Sequence, residues 1–170
     1  IVQNGSFETP VITDPQGWDA FESGANNIVW KANWINNAPE AGKPVVANLE
    51  FQNFLTAQNG DQFTELDSDW DGIPSSHLDD ASVKISQYLA TKIGYTYGVS
   101  YYTSPLPGTD STQNKVQFSW AGNIVDTTSE DGTLNADNMW TAHSFNLVAT
   151  STTTRIDFAD AGISNTFGSL

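Results

Sequence analysis

The last third of the chain alternates apolar and polar residues with a period of two. The pattern is clearest in three segments, which are KVQFSW (115–120), HSFNLVA (143–149) and TTRIDFAD (153–160). Because successive side chains of a β-strand point to opposite faces, this period predicts strands with one buried face. The side chains expected to face the core are Val116, Phe118, Trp120, Phe145, Leu147, Ile156 and Phe158.

Turn signals separate these strand-like segments. Gly, Pro, Asn and Asp cluster in SPLPGTDS (104–111), WAGN (120–123) and EDGTLNADN (130–138), which is typical of short strands joined by tight turns. Residues 79–90 are compatible with a short helix instead. The pattern predicts an all-β fold, an antiparallel β-sandwich of the jelly-roll kind. Because the chain shows no internal repeat and no linker, we expect residues 1–170 to form one domain.

The charge of the chain excludes several classes of partner. Twenty aspartates and glutamates stand against six lysines and arginines, which gives a net charge of −14. Proteins that bind nucleic acids place basic patches against phosphates, and anionic membranes also attract basic segments. We therefore expect no nucleic-acid partner and no membrane insertion. Cysteine is absent, so a secreted domain of this sequence depends on its core or on a metal for stability.

The acidic residues are concentrated in the stretch ELDSDWDGIPSSHLDD, over residues 65–80. No lysine or arginine lies between Lys43 and Lys84, so a compact conformation of this stretch requires another cation. Part of it spells D-x-D-x-D-G, in which carboxylates at alternate positions can converge on a calcium ion and the glycine permits a sharp turn. The alternative is a solvated acidic loop.

The calcium hypothesis takes five side-chain ligands from this stretch, which are Asp67, Asp69, Asp71, Asp79 and Asp80. The first three belong to the D-x-D-x-D-G pattern. An EF-hand loop would have a closing glutamate where this chain has Leu78, so the likeness to an EF-hand covers only the first half of the loop. The last two aspartates follow Leu78 directly and are placed to complete the coordination.

Five loop or strand-end residues are candidates for contact with a ligand: Trp70, Tyr101, Tyr102, Asp110 and Trp34. Trp70 stands between two of the calcium-spaced aspartates and has little core to reach. Trp34 belongs to a group of three tryptophans, one of which would lie flat on the surface as a platform for a sugar ring. The alternatives are that these tryptophans fill the ends of the sandwich, and that the two tyrosines simply alternate between core and surface.

An ordered set of motifs resembles a family of bacterial extracellular modules with a galactose-binding-like β-sandwich. The motifs include NGSFE at residues 4–8, NGDQFTELDSD at 59–69, NKVQFSWAGNIV at 114–125 and SNTFGSL at 164–170. The resemblance covers almost the whole chain. It departs from the family pattern at Leu106, where related modules have arginine, and at Leu170, beyond which they continue into a Leu-Asp-Asp-Val strand.

The resemblance implies a carbohydrate-binding or adhesin-type module, excised from a larger extracellular protein with flanking domains. It implies that Asn4 and Glu8 contribute to a structural calcium site. Such modules bind carbohydrates or short peptides on a host or neighbouring cell, so it implies binding without naming a ligand.

These observations favour a calcium-dependent ligand-binding module of a bacterial surface or secreted protein, and not an enzyme. The sequence has no G-x-S-x-G, H-E-x-x-H or glycine-rich phosphate loop. One alternative is a secreted carbohydrate-active enzyme domain that uses paired carboxylates. Carboxylates neutralised by calcium are poor general acids, because the cation favours their ionised form. The other alternative is a purely structural spacer.

Overall fold

The computed structural model describes residues 1–25, 27–36, 42–68, 70, 81–163 and 168. These ranges contain no helix, and therefore none that could cross a membrane. They contain ten strands, which are β1 (Trp18–Glu22), β2 (Lys31–Trp34), β3 (Asn48–Gln52), β4 (Phe63–Glu65), β5 (Val83–Ala90), β6 (Thr96–Thr103), β7 (Lys115–Trp120), β8 (Asn123–Ser129), β9 (Thr141–Val148) and β10 (Thr153–Asp160).

All of the strand pairs in these ranges are antiparallel. One layer is a five-stranded sheet in the order β2-β5-β10-β7-β8, and the other strands form a three-stranded sheet, β1-β3-β4, and a two-stranded sheet, β6-β9. The prediction of an antiparallel β-sandwich is confirmed by this pairing. The short helix compatible with residues 79–90 does not form over Val83–Ala90, because β5 is held between β2 and β10.

The predicted core residues all point inward. Val116, Phe118, Trp120 and Ile156 are buried, and the other three, Phe145, Leu147 and Phe158, are partly buried and pack against the same cluster. Their polar neighbours on β7 are only partly buried, as the period of two requires. The alternation in the sequence therefore assigned the faces of β7, β9 and β10 correctly.

Aromatic rings join the layers across this core. Phe118 and Phe158 of the five-stranded sheet stack with ring centroids 5.1 Å apart. Tyr101 of β6 contacts both, at centroid distances of 5.1 and 4.9 Å. On the other side, Phe51 of β3 meets Phe7 at 5.7 Å. Rings at these separations add attraction to the burial of their apolar area.

Trp34, a candidate for ligand contact, is not the flat surface platform expected from one of the three tryptophans. Its side chain is 5% exposed and belongs to the core cluster. Its indole N–H donates to the Pro44 carbonyl at 2.8 Å, and the Lys43 Nζ lies 5.0 Å from the ring centroid. Trp30 is buried as well, and its indole N–H donates to the Asn4 carbonyl. Both rings complete the core, because partners for their polar edges lie at its boundary.

The layer opposite the five-stranded sheet is divided. Over the described residues, β4 pairs with β3 within its own layer, and β6 pairs with β9. No ladder joins β4 to β6 there. The edges of these two strands border an opening into the sandwich, and that opening positions the candidate site.

Candidate functional site

A cleft with a volume of about 470 Å³ lies between β4, β6 and the N-terminal segment. We call it the β4–β6 cleft. Its walls are mostly apolar and aromatic, with Phe7, Phe63, Tyr101, Tyr102 and Trp140 among the lining residues. Its polar lining is a small set of amides and hydroxyls, which are Ser6, Gln58, Asn59, Gln62, Thr64, Ser100 and Thr103. Its size and composition are those of a ligand pocket, in which apolar walls bind and a few polar groups orient.

Tyr101 and Tyr102 both line the cleft, from opposite faces of β6. Tyr101 points inward and stacks on the His143 ring, with centroids 4.8 Å apart. Tyr102 points outward and is 46% exposed. The two residues therefore alternate between core and surface, as one interpretation of the sequence held, and they also border the cleft. The exposed ring is available to a ligand, whereas the inner ring shapes the wall.

A hydrogen-bond network fixes the inner wall. The Tyr101 hydroxyl donates to Asp126 Oδ2 at 2.9 Å, and His143 Nδ1 lies 3.3 Å from the same oxygen. Burial, followed by this carboxylate, raises the pKa of Tyr101 well above its usual value of 10.0. The phenol therefore remains a hydrogen-bond donor at any physiological pH.

The same network contains a chain of groups like that of a hydrolase, from Asp126 through His143 to the Thr103 hydroxyl. His143 Nε2 lies 2.9 Å from Thr103 Oγ1. That hydroxyl also donates to Glu130 Oε2 at 2.9 Å, and Thr103 is buried. Because its proton is directed to a carboxylate, the hydroxyl is not poised to transfer it to the imidazole. The Asp126–His143–Thr103 groups therefore support the wall of the cleft.

The NGSFE segment closes another side of the cleft through hydrogen bonds. The Asn4 side chain donates to the Thr9 carbonyl at 2.6 Å and accepts from the Thr9 N–H. Glu8 Oε1 accepts from the backbone N–H groups of Asp61 and Gln62. The Gln62 side chain in turn donates to the Phe7 carbonyl. In this structure Glu8, one of the predicted calcium ligands, holds the N-terminal segment against the start of β4, whereas Asn4, another, closes a turn within that segment.

Thr56 connects the loop before β4 to the loop before β9 at the end of the cleft. Its backbone N–H donates to Asp137 Oδ1 at 2.9 Å, and its carbonyl accepts from the Trp140 indole N–H at 2.9 Å. The Trp140 ring meets Phe63 edge-on, with centroids 5.9 Å apart. The loop before β9 therefore places Trp140 against β4, where the ring forms one wall.

Among the five predicted calcium ligands of the acidic stretch, Asp67 is the one whose position the structure describes, and it is 1% exposed. Asp69, Asp71, Asp79 and Asp80 lie outside the described residues. The Asp67 and Asp160 carboxyl groups interact, and burial raises the pKa of Asp160 against the opposing effect of its polar neighbours. Two carboxyl groups in contact require a shared proton or a cation between them.

A second pair of carboxyl groups lies close to Asp67. Glu50 and Glu65 face each other across β3 and β4, and both are buried. The Gln52 side-chain amide donates to Glu50 Oε1 at 2.8 Å and to Glu65 Oε2. The Gly168 N–H donates to Glu65 Oε1, and a Cβ at this glycine would overlap the Asp67 carboxylate. Residue 168 therefore returns to cover both acidic side chains.

These carboxylates do not form a complete metal site within the described ranges. No group of three or more histidine, aspartate or glutamate side chains is placed there to hold a metal ion. Calcium prefers about six to eight oxygen ligands, so the described part of the chain supplies at most a portion of such a site. The D-x-D-x-D-G loop stays a prediction.

The remaining predicted residues lie away from the cleft lining. Trp70 is partly buried and packs against the core cluster and close to Gly42, so the expectation that it has little core to reach is wrong. Asp110 is exposed, and its carboxylate accepts from the Thr112 N–H and hydroxyl, which lower its pKa. It closes its own turn.

Sequence reasoning missed most of the lining residues. Phe63 and Gln62 lie within the NGDQFTELDSD motif, but the acidic half of this motif predicts a calcium site and says nothing about a cleft. The amide-rich run QNGDQ at residues 58–62 was a usable signal, because amide side chains are common polar anchors in ligand pockets. Trp140 carries no such signal, since its role depends on a contact with Phe63, far away in the sequence.

Comparisons with known proteins give a limited result. No protein-family model matches the sequence. No curated protein matches it either. A solved CBM4 structure is similar, with 13% identity over 95% of this chain and 89% of that chain and a TM-score of 0.41. The K1 cleaved adhesin domain of Lys-gingipain from Porphyromonas gingivalis is similar at 10% identity, over 92% of this chain and 86% of that chain, with a TM-score of 0.40.

A CBM4 module and an adhesin domain are both of the kind that the sequence resembles. At these TM-scores neither likeness adds to the strand pairing, which by itself establishes the sandwich.

Proposed function

We propose that this domain is a binding module of a bacterial extracellular or cell-surface protein, and that it binds a carbohydrate or peptide ligand in the β4–β6 cleft. The observation that carries the proposal is the cleft of about 470 Å³, with its aromatic walls and its few amides and hydroxyls. The exposed Tyr102 ring at its border offers the kind of amphipathic contact area common at binding sites. The Thr103–His143–Asp126 arrangement supports a structural role, so the proposal is binding and not catalysis.

An alternative location for the ligand is the loop over residues 67–80, with Trp70 in contact. Trp70 packs against the core cluster, and its indole nitrogen is buried. A ring held in this way offers less of its surface to a ligand than Tyr102 does. The position of the two rings therefore favours the cleft.

Calcium enters the proposal as a stabiliser of the acidic stretch. Its support is the D-x-D-x-D-G spacing together with the buried contact between Asp67 and Asp160. When bound, the ion would neutralise like charges that otherwise repel each other in a compact fold. Asp67 is the described residue that would contribute a carboxylate oxygen. Ligand binding that requires calcium would follow if the ion also orders the loops beside the cleft.

The test is a glycan array and a peptide library, each probed with the domain in calcium and in chelator. Tyr102→Ala should weaken binding of any hit by about tenfold or more, because truncating an aromatic anchor commonly costs over 1 kcal/mol. Tyr95→Ala is the matched control, since Tyr95 is also exposed and does not line the cleft. Trp70→Ala tests the alternative location. Normal binding by Tyr102→Ala, with lost binding by Trp70→Ala, would contradict the proposal for the cleft.

A further inference from the structure

The β4–β6 cleft is bordered by strand edges as well as by side chains. Five consecutive residues of β6, Val99 to Thr103, line it, and so do Gln62, Phe63 and Thr64. Successive side chains of a strand point to opposite faces. A cavity that touches consecutive residues of a strand therefore runs along its edge, and this cavity touches two such edges.

The β6 edge carries backbone groups that the sheet does not use. Over the described residues β6 pairs with β9 along its whole length and with no second strand. No other backbone hydrogen bond in those ranges begins or ends within Thr96–Thr103. In an antiparallel ladder alternate residues direct their N–H and C=O groups to the two sides. About half of these groups in β6 are therefore directed away from β9.

An unpaired strand edge recognises one kind of ligand better than others. An extended peptide presents N–H and C=O groups at the spacing of the edge, whereas an oligosaccharide has hydroxyls at other spacings. The five lining residues of β6 match a peptide segment of about 17 Å, at about 3.4 Å per residue. Its alternate side chains would enter the apolar interior of the cleft. This is the strand-addition mode of peptide recognition.

The charge around the cleft indicates the character of that peptide. No lysine or arginine is among the described residues that line it. Glu8 holds the backbone at the start of β4, Asp61 is exposed beside it, and Glu130 accepts from Thr103 on β6. On a chain with a net charge of −14, these carboxylates attract cationic groups and repel acidic ones.

We propose that the β4–β6 cleft binds an extended, basic peptide segment, which pairs through its backbone with the edge of β6 that is directed away from β9 and places alternate apolar side chains between β4 and β6. The inference rests on the proposed function and deepens it, because it names the class of ligand. The proposed ligand is a peptide segment of a partner protein. Binding of a carbohydrate instead is one of the results that the experiment can give.

The experiment selects random peptides of about seven residues, displayed on phage, against the intact domain in calcium, with the Tyr102→Ala domain as the counter-selection. Selected peptides are then synthesised in two forms, one unmodified and one N-methylated at alternate backbone amides. N-methylation removes the edge hydrogen bonds and leaves side chains and net charge unchanged. Amide hydrogen exchange of β6 is measured with and without each peptide.

We expect the selected peptides to have a net positive charge and apolar residues at alternate positions. N-methylation in one of the two alternating sets should weaken binding about tenfold or more, since it removes two or three backbone hydrogen bonds. Alternate amides of β6 should exchange more slowly when the unmodified peptide is bound. Because the modification is on the peptide, this comparison does not depend on whether a protein variant folds.

Three results would overturn the inference. If both N-methylated sets bind as well as the unmodified peptide, binding in the cleft does not use the β6 edge, although the proposed function stands. If oligosaccharides bind in a Tyr102-dependent manner and peptides do not, the ligand class is wrong and the proposed function again stands. If neither peptides nor oligosaccharides distinguish the intact domain from Tyr102→Ala, both the inference and the proposed function are wrong.

Discussion

The adjacent tyrosines on β6 have different roles, since Tyr101 stabilises the fold and Tyr102 is available to a ligand. A matched pair of substitutions distinguishes these roles. Tyr101→Phe removes the hydroxyl that donates to Asp126. It should lower the free energy of unfolding by about 1 kcal/mol, which is typical of one lost hydrogen bond. Tyr102→Phe removes the hydroxyl of an exposed ring and should change stability by less than about 0.5 kcal/mol. Urea denaturation measures both, and equal losses would contradict the assigned roles.

The Gln52 side chain is a single amide between two buried carboxyl groups. Gln52→Leu keeps the volume but removes the donor to Glu50 and Glu65. We expect a loss of about 2 kcal/mol or more, because buried acceptors then lose a partner. Gln16→Leu is the control, since Gln16 is exposed. Thermal or urea unfolding that gives the two variants the same stability would show that the amide bridge contributes nothing.

At the scale of elements, Asp137 connects the loop before β9 to the loop before β4. The Thr56 hydroxyl and N–H, then the Asn138 N–H, lower the pKa of Asp137 from its usual 3.8. A lowered pKa in the folded state means that this stabilisation is present above about pH 3.8 and is lost as the pH falls through the folded-state pKa. The two loops should separate in that acidic range.

The Thr56 amide resonance, followed from pH 5 to pH 2, reports this separation. Asp137→Asn should remove the transition from the Thr56 amide. Asp131→Asn is the control, because Asp131 accepts from Thr133 within its own turn and does not join the two loops. A Thr56 amide that titrates identically in the intact domain and in Asp137→Asn would contradict the role given to this carboxylate.

At the scale of the whole molecule, the excess of acidic residues leads us to expect that bound calcium makes a large contribution to the stability of the folded domain. An ion that binds only the native state stabilises it by about 2.7 kcal/mol at a hundredfold excess over its Kd. Chelation should therefore lower the melting temperature, and Asp69→Asn should reduce the difference. Asp14→Asn is the control, because Asp14 is exposed and lies outside the acidic stretch. Identical calorimetric transitions in calcium and in chelator would show that the calcium proposal is wrong.

The period of two in the sequence is sufficient to predict the all-β class and the faces of β7, β9 and β10. The reason is local, because alternating apolar and polar residues indicate a strand with one buried face. Val116, Phe118 and Ile156 could therefore be assigned to the buried face without knowing their partners. The same alternation holds in β2, where Lys31 and Asn33 are exposed and Ala32 and Trp34 are buried, so the period of two is also consistent with a core position for Trp34.

The location of the ligand cleft, in contrast, follows from long-range contacts in the folded domain. The β4–β6 cleft exists because Phe63 and Tyr102 lie on strands that approach without pairing, and Trp140 reaches Phe63 from a distant loop. The contact between Asp67 and Asp160 is likewise long-range in sequence. Local patterns cannot report such contacts, since they depend on which strand edges and loops the packing of the whole domain brings together.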